Sequence, residues 1–303
     1  MRGGIGTRPL APADLERVVA IDGAAAGRSR RGFYAKRFAA LARDPASEVA
    51  LAAERDGRVV GFAFGHRLDG EFGGAAPVGM LDALAVDAAA RSGGVASALL
   101  EALEAALRQR GVSELRTQAD WTERGLVSFF ASAGFRLSPR LVLEREVERP
   151  FDDELDWTEL PVRSMTEGDL PAIVRVDRKI TGRDRAAYYR RKASEALGQS
   201  GVRVSLVAEV DRQFAGFLMA RVDLGEFGRT DPVAVLDTIG VDPAFSGRRA
   251  GRAMLEQLLR NLRSLRVERV LTEVEWDDFD VLRFLARTGF GHSQRLCFLK
   301  ALG

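Results

Sequence analysis

The chain has 303 residues, enough for about two domains of ordinary size, and its 45 Lys and Arg against 43 Asp and Glu leave a formal charge of only +2. The basic residues are dispersed among acids, so neither a nucleic-acid footprint nor a polybasic membrane patch is expected, and a small-molecule partner fits better. A single cysteine, Cys297, excludes an internal disulfide, two distant histidines exclude a histidine-rich metal site, and no secretory leader or apolar run near the ~18 residues of a membrane span is visible, so the expectation is a cytoplasmic monomer or homodimer.

In chain order, an extended stretch at Thr7–Leu10 precedes an amphipathic helix that carries Leu15, Val18, Val19 and Ile21 on one face. An arginine-rich helix is predicted at about 29–42. Two strands, 48–54 and 58–67, are joined at Asp56-Gly57, a hairpin pattern. A glycine-containing loop leads to a nearly continuous apolar strand, Val78–Val86, as expected for a strand buried on both faces. It runs directly into a helix at 93–109 with Leu99, Leu100, Leu103 and Leu107 at helical spacing. A strand at 114–119, a short helix ending at Gly134 and a strand at 141–147 complete the series.

The same series then repeats at a constant offset of 155 residues. Between Ala53 and Asp87, 15 of 35 positions are identical to those 155 residues later, including Gly61-Phe62 with Gly216-Phe217, Leu81-Asp82 with Leu236-Asp237 and Val86-Asp87 with Val241-Asp242. The register also carries Arg8 onto Arg163, Asp14 onto Asp169, Trp121 onto Trp276 and Gly134-Phe135 onto Gly289-Phe290. This is a tandem duplication of one mixed domain. Expected boundaries are 1–148, an acidic linker at 149–159, and 160–303.

The chemistry points to the turn between the buried strand and the helix after it. Small residues there let backbone N–H groups approach a phosphate, and the helix N-terminus adds positive potential. In the first repeat the turn reads Arg91-Ser92-Gly93-Gly94-Val95-Ala96-Ser97. Arg91-x-x-Gly94-x-Ala96, after a Val-Asp strand end and before Ala-Leu-Leu, resembles the acetyl-coenzyme A loop (Q/R-x-x-G-x-G/A) of the GNAT N-acetyltransferase superfamily. The ending Phe129-Phe130-Ala131-Ser132-Ala133-Gly134-Phe135 is similar to the last helix of that family.

The resemblance implies an α+β fold, in each half a mixed, mostly antiparallel sheet flanked by helices, and acetyl transfer from acetyl-CoA to a primary amine with CoA as product. It implies that Leu84, Ala85, Val86, Arg91, Ser92, Gly93, Gly94, Val95, Ala96 and Ser97 hold the cofactor. In the second repeat Val241, Gly247, Arg248, Arg249, Gly251 and Arg252 occupy the matching loop, but Ser246 replaces Arg91 and Arg249 replaces Gly94. The stronger cofactor site is therefore expected in the first repeat. A catalytic second repeat with a structural first one, and a non-catalytic acyl-CoA sensor, stay open.

An alkylamine with a pKa near ~10 arrives protonated at neutral pH and needs a base. Asp82, within a buried apolar strand, is a candidate, with Asp237 as its copy; Glu123 and the loop residue Glu71 are further ones. The family's most frequently acidic position is Met80 here and Val235 in the copy, and its tyrosine acid is replaced by Phe130 and Leu285. Trp121 and Trp276 read as packing residues, His66 and His292 as ordinary surface or half-buried histidines, and Cys297 as core.

Overall fold

The computed structural model describes residues 4–27, 29–68, 77–151, 160–194, 204–224 and 232–303. The first half contains β1 (Gly6–Pro9), α1 (Leu15–Ala26), α2 (Arg31–Arg43), β2 (Glu48–Arg55), β3 (Arg58–Leu68), β4 (Val78–Val86), α3 (Val95–Arg108), β5 (Glu114–Asp120), α4 (Arg124–Ser132) and β6 (Arg136–Glu146). The second contains β7 (Val162–Ser164), α5 (Leu170–Thr181), α6 (Ala186–Ser194), β8 (Leu206–Val210), β9 (Gln213–Leu224), β10 (Pro232–Val241), α7 (Ala250–Ser264), β11 (Arg269–Glu275), α8 (Phe279–Arg287) and β12 (Gly291–Ala301). The expected element order is present in both halves. The last strand of each starts about five residues early, because the polar runs 136–140 and 291–295 carry no apolar alternation to betray them.

Two compact units result, and they differ from the expected boundaries. Unit 1 takes Met1–Ser138 together with Arg295–Gly303, and unit 2 takes Pro139–Asp223 with Pro232–Gln294. The strand order of unit 1 is β1-β2-β3-β4-β5-β12, and that of unit 2 is β6-β11-β10-β9-β8-β7. The terminal strand of each repeat thus completes the sheet of the other repeat. In unit 1, β12 pairs antiparallel with β5 from Arg295 opposite Asp120 to Ala301 opposite Glu114. In unit 2, β6 pairs antiparallel with β11 from Arg140 opposite Glu275 to Glu146 opposite Arg269. Because the copies share one hydrophobic pattern, either terminal strand suits either sheet, and local sequence does not distinguish them. Of the expected linker, residues 152–159 lie outside the described residues.

Within unit 1, side chains alternating along β2 feed two cores. Ala50 and Ala52 join Val18, Ile21, Phe33, Tyr34, Phe62 and Phe64 beneath α1 and α2. Val49 joins Leu103, Leu107, Leu115, Phe130, Phe135 and Phe298 beneath α3 and α4. The period of two along the strand puts these on opposite faces of the sheet. Unit 2 repeats the arrangement, with Ile173, Val176, Tyr189 and Phe217 on one side and Leu206, Leu255, Leu258 and Leu285 on the other.

Two polar devices recur. The Arg8 guanidinium binds both oxygens of Asp14, at 2.7 and 3.0 Å, and reaches Glu54 at 2.8 Å. Arg163 does the same with Asp169, at 2.8 and 2.7 Å, and with Glu209 at 2.8 Å. Hydrogen bonds from these arginines hold Asp14 and Asp169 below the ordinary value of 3.8. A carboxylate with a depressed folded pKa contributes stability that is present above its unfolded pKa and lost as pH falls through the folded one. Urea midpoints followed from pH 5 downward should fall less steeply in the Arg8→Ala, Arg163→Ala double variant than in the parent chain. Equal slopes would mean that these pairs do not contribute to acid sensitivity.

Beneath each pair of helices lies a buried Asp–Arg–Tyr group. Arg30 donates to Asp22 and, at 3.0 Å, to the Tyr34 hydroxyl, which itself donates to Asp22 at 2.8 Å. Asp177, Arg185 and Tyr189 reproduce it, with 3.1 and 2.8 Å for the corresponding contacts of the tyrosine.

Candidate active site

In each unit two neighbouring parallel strands pair only briefly. β4 and β5 are in register at Gly79–Leu115 and Met80–Arg116, and β10 and β11 at Ala234–Val270 and Val235–Leu271. Beyond those pairs the strands separate. At the point of separation the buried Thr117 hydroxyl donates to the Leu81 carbonyl at 3.0 Å, and Thr272 donates to Leu236 at 2.9 Å. Each threonine thereby satisfies an acceptor that would otherwise lose its ladder partner. Burial along β4 changes at the same place, from buried at Val78–Asp82 to half-buried at Ala83–Val86.

The divergence coincides with a bulge in unit 1. Phe64 pairs with Ala83 and Gly65 with Leu81, so Asp82 is the extra residue on β4. Gly65 is required there, since a Cβ would lie 2.6 Å from the Met80 carbonyl oxygen.

At its far end β4 enters the loop. Asp87 accepts from the Ala89 N–H at 3.0 Å and from Arg17 at 2.5 Å, closing a short 3₁₀ turn at Ala88–Ala90. Ser92 and Gly94 then adopt left-handed conformations, with φ of 60° and 79°, and α3 begins at Val95 without a side-chain cap. The N–H groups of Val95, Ala96 and Ser97 belong to the first helical turn and have no intrahelical acceptor. Arg91 and Ser92–Gly94 are exposed around them. Arg55, which sequence reasoning did not include, donates to the Gly93 carbonyl at 3.4 Å and brings a second guanidinium to the loop. These groups fit a pyrophosphate: free N–H donors, a helix N-terminus and two arginines.

The second loop has the same backbone course. Gly247 and Arg249 take the left-handed conformation at φ of 77° and 60°, and α7 begins at Ala250. Arg249 therefore accepts the conformation that Gly94 adopts without a side chain. Arg252 is engaged by Glu256 at 2.9 Å and lies over the Phe151 ring.

Asp82 is 2% exposed. Its Oδ2 is 2.7 Å from His66 Nδ1, and its Oδ1 lies 3.1 Å from the Arg37 guanidinium, outside hydrogen-bonding geometry. His66, across the β3–β4 ladder from Met80, is half-buried, one of the two expected settings, and its contact with Asp82 makes it part of an ionic group that the sequence did not indicate. Glu48 is its cross-strand neighbour on β2. Burial pushes the Glu48 carboxyl up, against the opposing pull of His66 and Arg37. Burial disfavours charged His66, but the charge and hydrogen bond of Asp82 outweigh it, and the imidazolium pKa is raised above 6.5. At the offset positions Asp237 faces Arg221 at 3.0 Å and Lys192 at 3.5 Å.

The other candidates fall elsewhere. Glu123 is exposed at the start of α4, and no hydrogen bond or ion pair joins it to Asp82. Glu71 and its copy Glu226 lie outside the described residues. Phe130 and Leu285 are buried core, Phe130 ringed by Phe129, Phe135 and Phe298. Trp121 and Trp276, expected to pack, are 54% and 55% exposed just beyond β5 and β11. Cys297 is buried, as expected for core.

The Acetyltransferase (GNAT) family profile matches the chain twice, over residues 17–135 and 171–290. The chain belongs to this acetyltransferase family. Among solved structures, a tandem GNAT protein from the clavulanic acid biosynthesis pathway superposes with a TM-score of 0.72 at 17% identity, covering 99% of both chains. A GCN5-related N-acetyltransferase from Sphaerobacter thermophilus gives 0.62 at 16% identity, over 98% of this GNAT chain and 96% of that one. A GCN5-related glucosamine N-acetyltransferase region of a fungal multi-domain GH3 beta-N-acetylglucosaminidase gives 0.68 at 15% identity, over 99% of this chain and 38% of that one. At such identities the likeness is one of fold. No curated protein matches the chain.

Proposed function

We propose that this GNAT chain is an acetyl-CoA-dependent N-acetyltransferase whose working cofactor site is in unit 1, with a primary amine of a small molecule or a protein as acceptor. The observation that carries the reading is the divergence of β4 from β5, which leads to the uncapped first turn of α3. The N–H groups of Val95, Ala96 and Ser97, with Arg91 beside them, would hold the pyrophosphate. The edge of Leu84, Ala85 and Val86, beyond the β5 pairing, offers peptide groups to the amide-bearing arm. Acetyl-CoA supplies an acyl thioester, and the thiolate is a tolerable leaving group because a thiol pKa is near ~8.5. A buried phenylalanine at position 130 is therefore compatible with turnover.

A non-catalytic acyl-CoA-binding role is the second reading, favoured by the apolar core at both Phe130 and Leu285. Acetyl-CoA titrated by calorimetry, followed by an amine screen read as free-thiol release, separates the two. We expect one strong site, acceptor-dependent thiol release, and loss of binding in a folded Gly94→Trp variant. Binding without release under any acceptor supports the second reading. Unchanged affinity in Gly94→Trp, or two equivalent sites, overturns the assignment to unit 1.

A further inference from the structure

We propose that His66, oriented by Asp82, is the base that takes the proton from the acceptor ammonium in unit 1. This inference rests on the acetyltransferase reading above and assigns the proton-transfer group within it. Asp82 itself is unsuited to meet an acceptor: its side chain is 1% exposed and is enclosed by His66 and Arg37. The His66 side chain is 17% exposed. A carboxylate only accepts hydrogen bonds, so Nδ1 facing Asp82 at 2.7 Å carries the proton, and the lone pair of the neutral ring lies on Nε2. Among the described residues, Nε2 has no hydrogen-bond partner. The imidazole stands across from Met80, next to the bulge at which β4 leaves β5, so a free ring nitrogen is placed where the cofactor edge begins.

Unit 2 provides an internal comparison. The 155-residue offset carries Arg37, His66 and Asp82 onto Lys192, Arg221 and Asp237. Asp237 is flanked there by Lys192 and Arg221, so an arginine stands beside it where His66 stands beside Asp82. The aspartate persists in both units, whereas an imidazole stands beside it only in unit 1. Asp82 is accordingly a positioning residue, and the imidazole it orients is particular to unit 1.

The step balances as follows. Neutral His66 removes one proton from R–NH3⁺, and the freed amine lone pair forms the C–N bond at the acyl carbon. The C–S bond breaks, its electron pair leaves on sulfur, and the second amine proton passes to the thiolate. The imidazolium then returns its proton to water. The groups facing His66 are Asp82 from β4, Arg37 from α2 and Glu48 from β2; Asp82 and Glu48 favour the imidazolium and Arg37 opposes it. The active ring is the neutral one, so kcat/KM should rise with pH through a midpoint above 6.5, the ordinary histidine value.

The test is the pH profile of kcat/KM for an alkylamine acceptor, with acetyl-CoA affinity measured alongside by calorimetry. His66→Gln should lower kcat by about 10²–10⁴-fold and abolish the acidic limb, while acetyl-CoA affinity is unchanged. An arylamine, which arrives neutral, should lose much less. Asp82→Asn should move the limb to lower pH, because the anion that favours the imidazolium is gone. An imidazole NMR titration of the parent chain, where His292 is the only other histidine, keeps the test independent of how the variants fold. A His66 midpoint that differs from the kinetic limb overturns the proposal. Full activity with an unshifted limb in His66→Gln also overturns it, while leaving the acetyltransferase reading intact. Absence of acceptor-dependent thiol release in the parent chain refutes that reading instead, and the proposal with it.

Discussion

Phe298→Ala is expected to destabilise unit 1, although residue 298 lies in the second repeat of the sequence. The side chain is 4% exposed and its ring centroid is 5.5 Å from that of Phe130. It belongs to the core of Leu103, Leu107, Leu115 and Phe135, and its strand pairs with β5 through seven residues. Truncating a buried phenylalanine costs about 3–5 kcal/mol through lost transfer energy and an unfilled cavity. Amide hydrogen exchange should therefore accelerate in β2, β3, β4 and β5 and leave β8, β9 and β10 protected. Leu143→Ala, at the offset position in β6, should show the mirror pattern, because Leu143 joins the core of unit 2. If each substitution loosens its own repeat, the exchanged-strand description is wrong.

Asp22→Ala should be of similar size, about 3–5 kcal/mol, for a different reason. Its partner Arg30 has a side chain only 9% exposed, so removing the carboxylate takes away the buried counter-ion of that guanidinium. Tyr34→Phe removes a hydrogen bond and leaves the ion pair, and should cost about 1.5–3 kcal/mol, the range for hydrogen bonds to charged groups. Asp177→Ala should repeat the large effect in unit 2, where Arg185 is the partner cation. Urea unfolding at neutral pH checks the order of these variants. A loss below about 1 kcal/mol in Asp22→Ala would mean that water replaces the carboxylate, as it does at an exposed pair.

Much of the site was legible because its parts are consecutive in the chain. The Val78–Val86 strand, the small-residue turn and the helix after it are one continuous segment, and the offset of 155 residues displays it twice. Thr117, Asp22, Arg30 and Tyr34 recur at that offset as Thr272, Asp177, Arg185 and Tyr189. A position-by-position reading of the offset would have found them, even though no familiar motif contains them. His66 escaped for the opposite reason. Its copy is Arg221, so the repeat hides it, and its significance comes from Arg37, Glu48 and Asp82, which reach it from three other elements. Trp121 and Trp276 are exposed where packing is expected, because a large aromatic at a strand end carries no local mark of which side faces solvent.

By itself the sequence determined the duplication, the mixed α+β character, the order of elements and the position of the small-residue turn between strand and helix, since hydrophobic period, turn chemistry and glycine placement are local properties of the chain. Only the tertiary structure decided which sheet receives each terminal strand, that Asp82 is enclosed by His66 and Arg37, and that Arg249 accepts the backbone conformation of Gly94. Each of these depends on contacts between residues far apart in sequence, and two copies with the same pattern satisfy the local rules equally well whichever way their strands are exchanged.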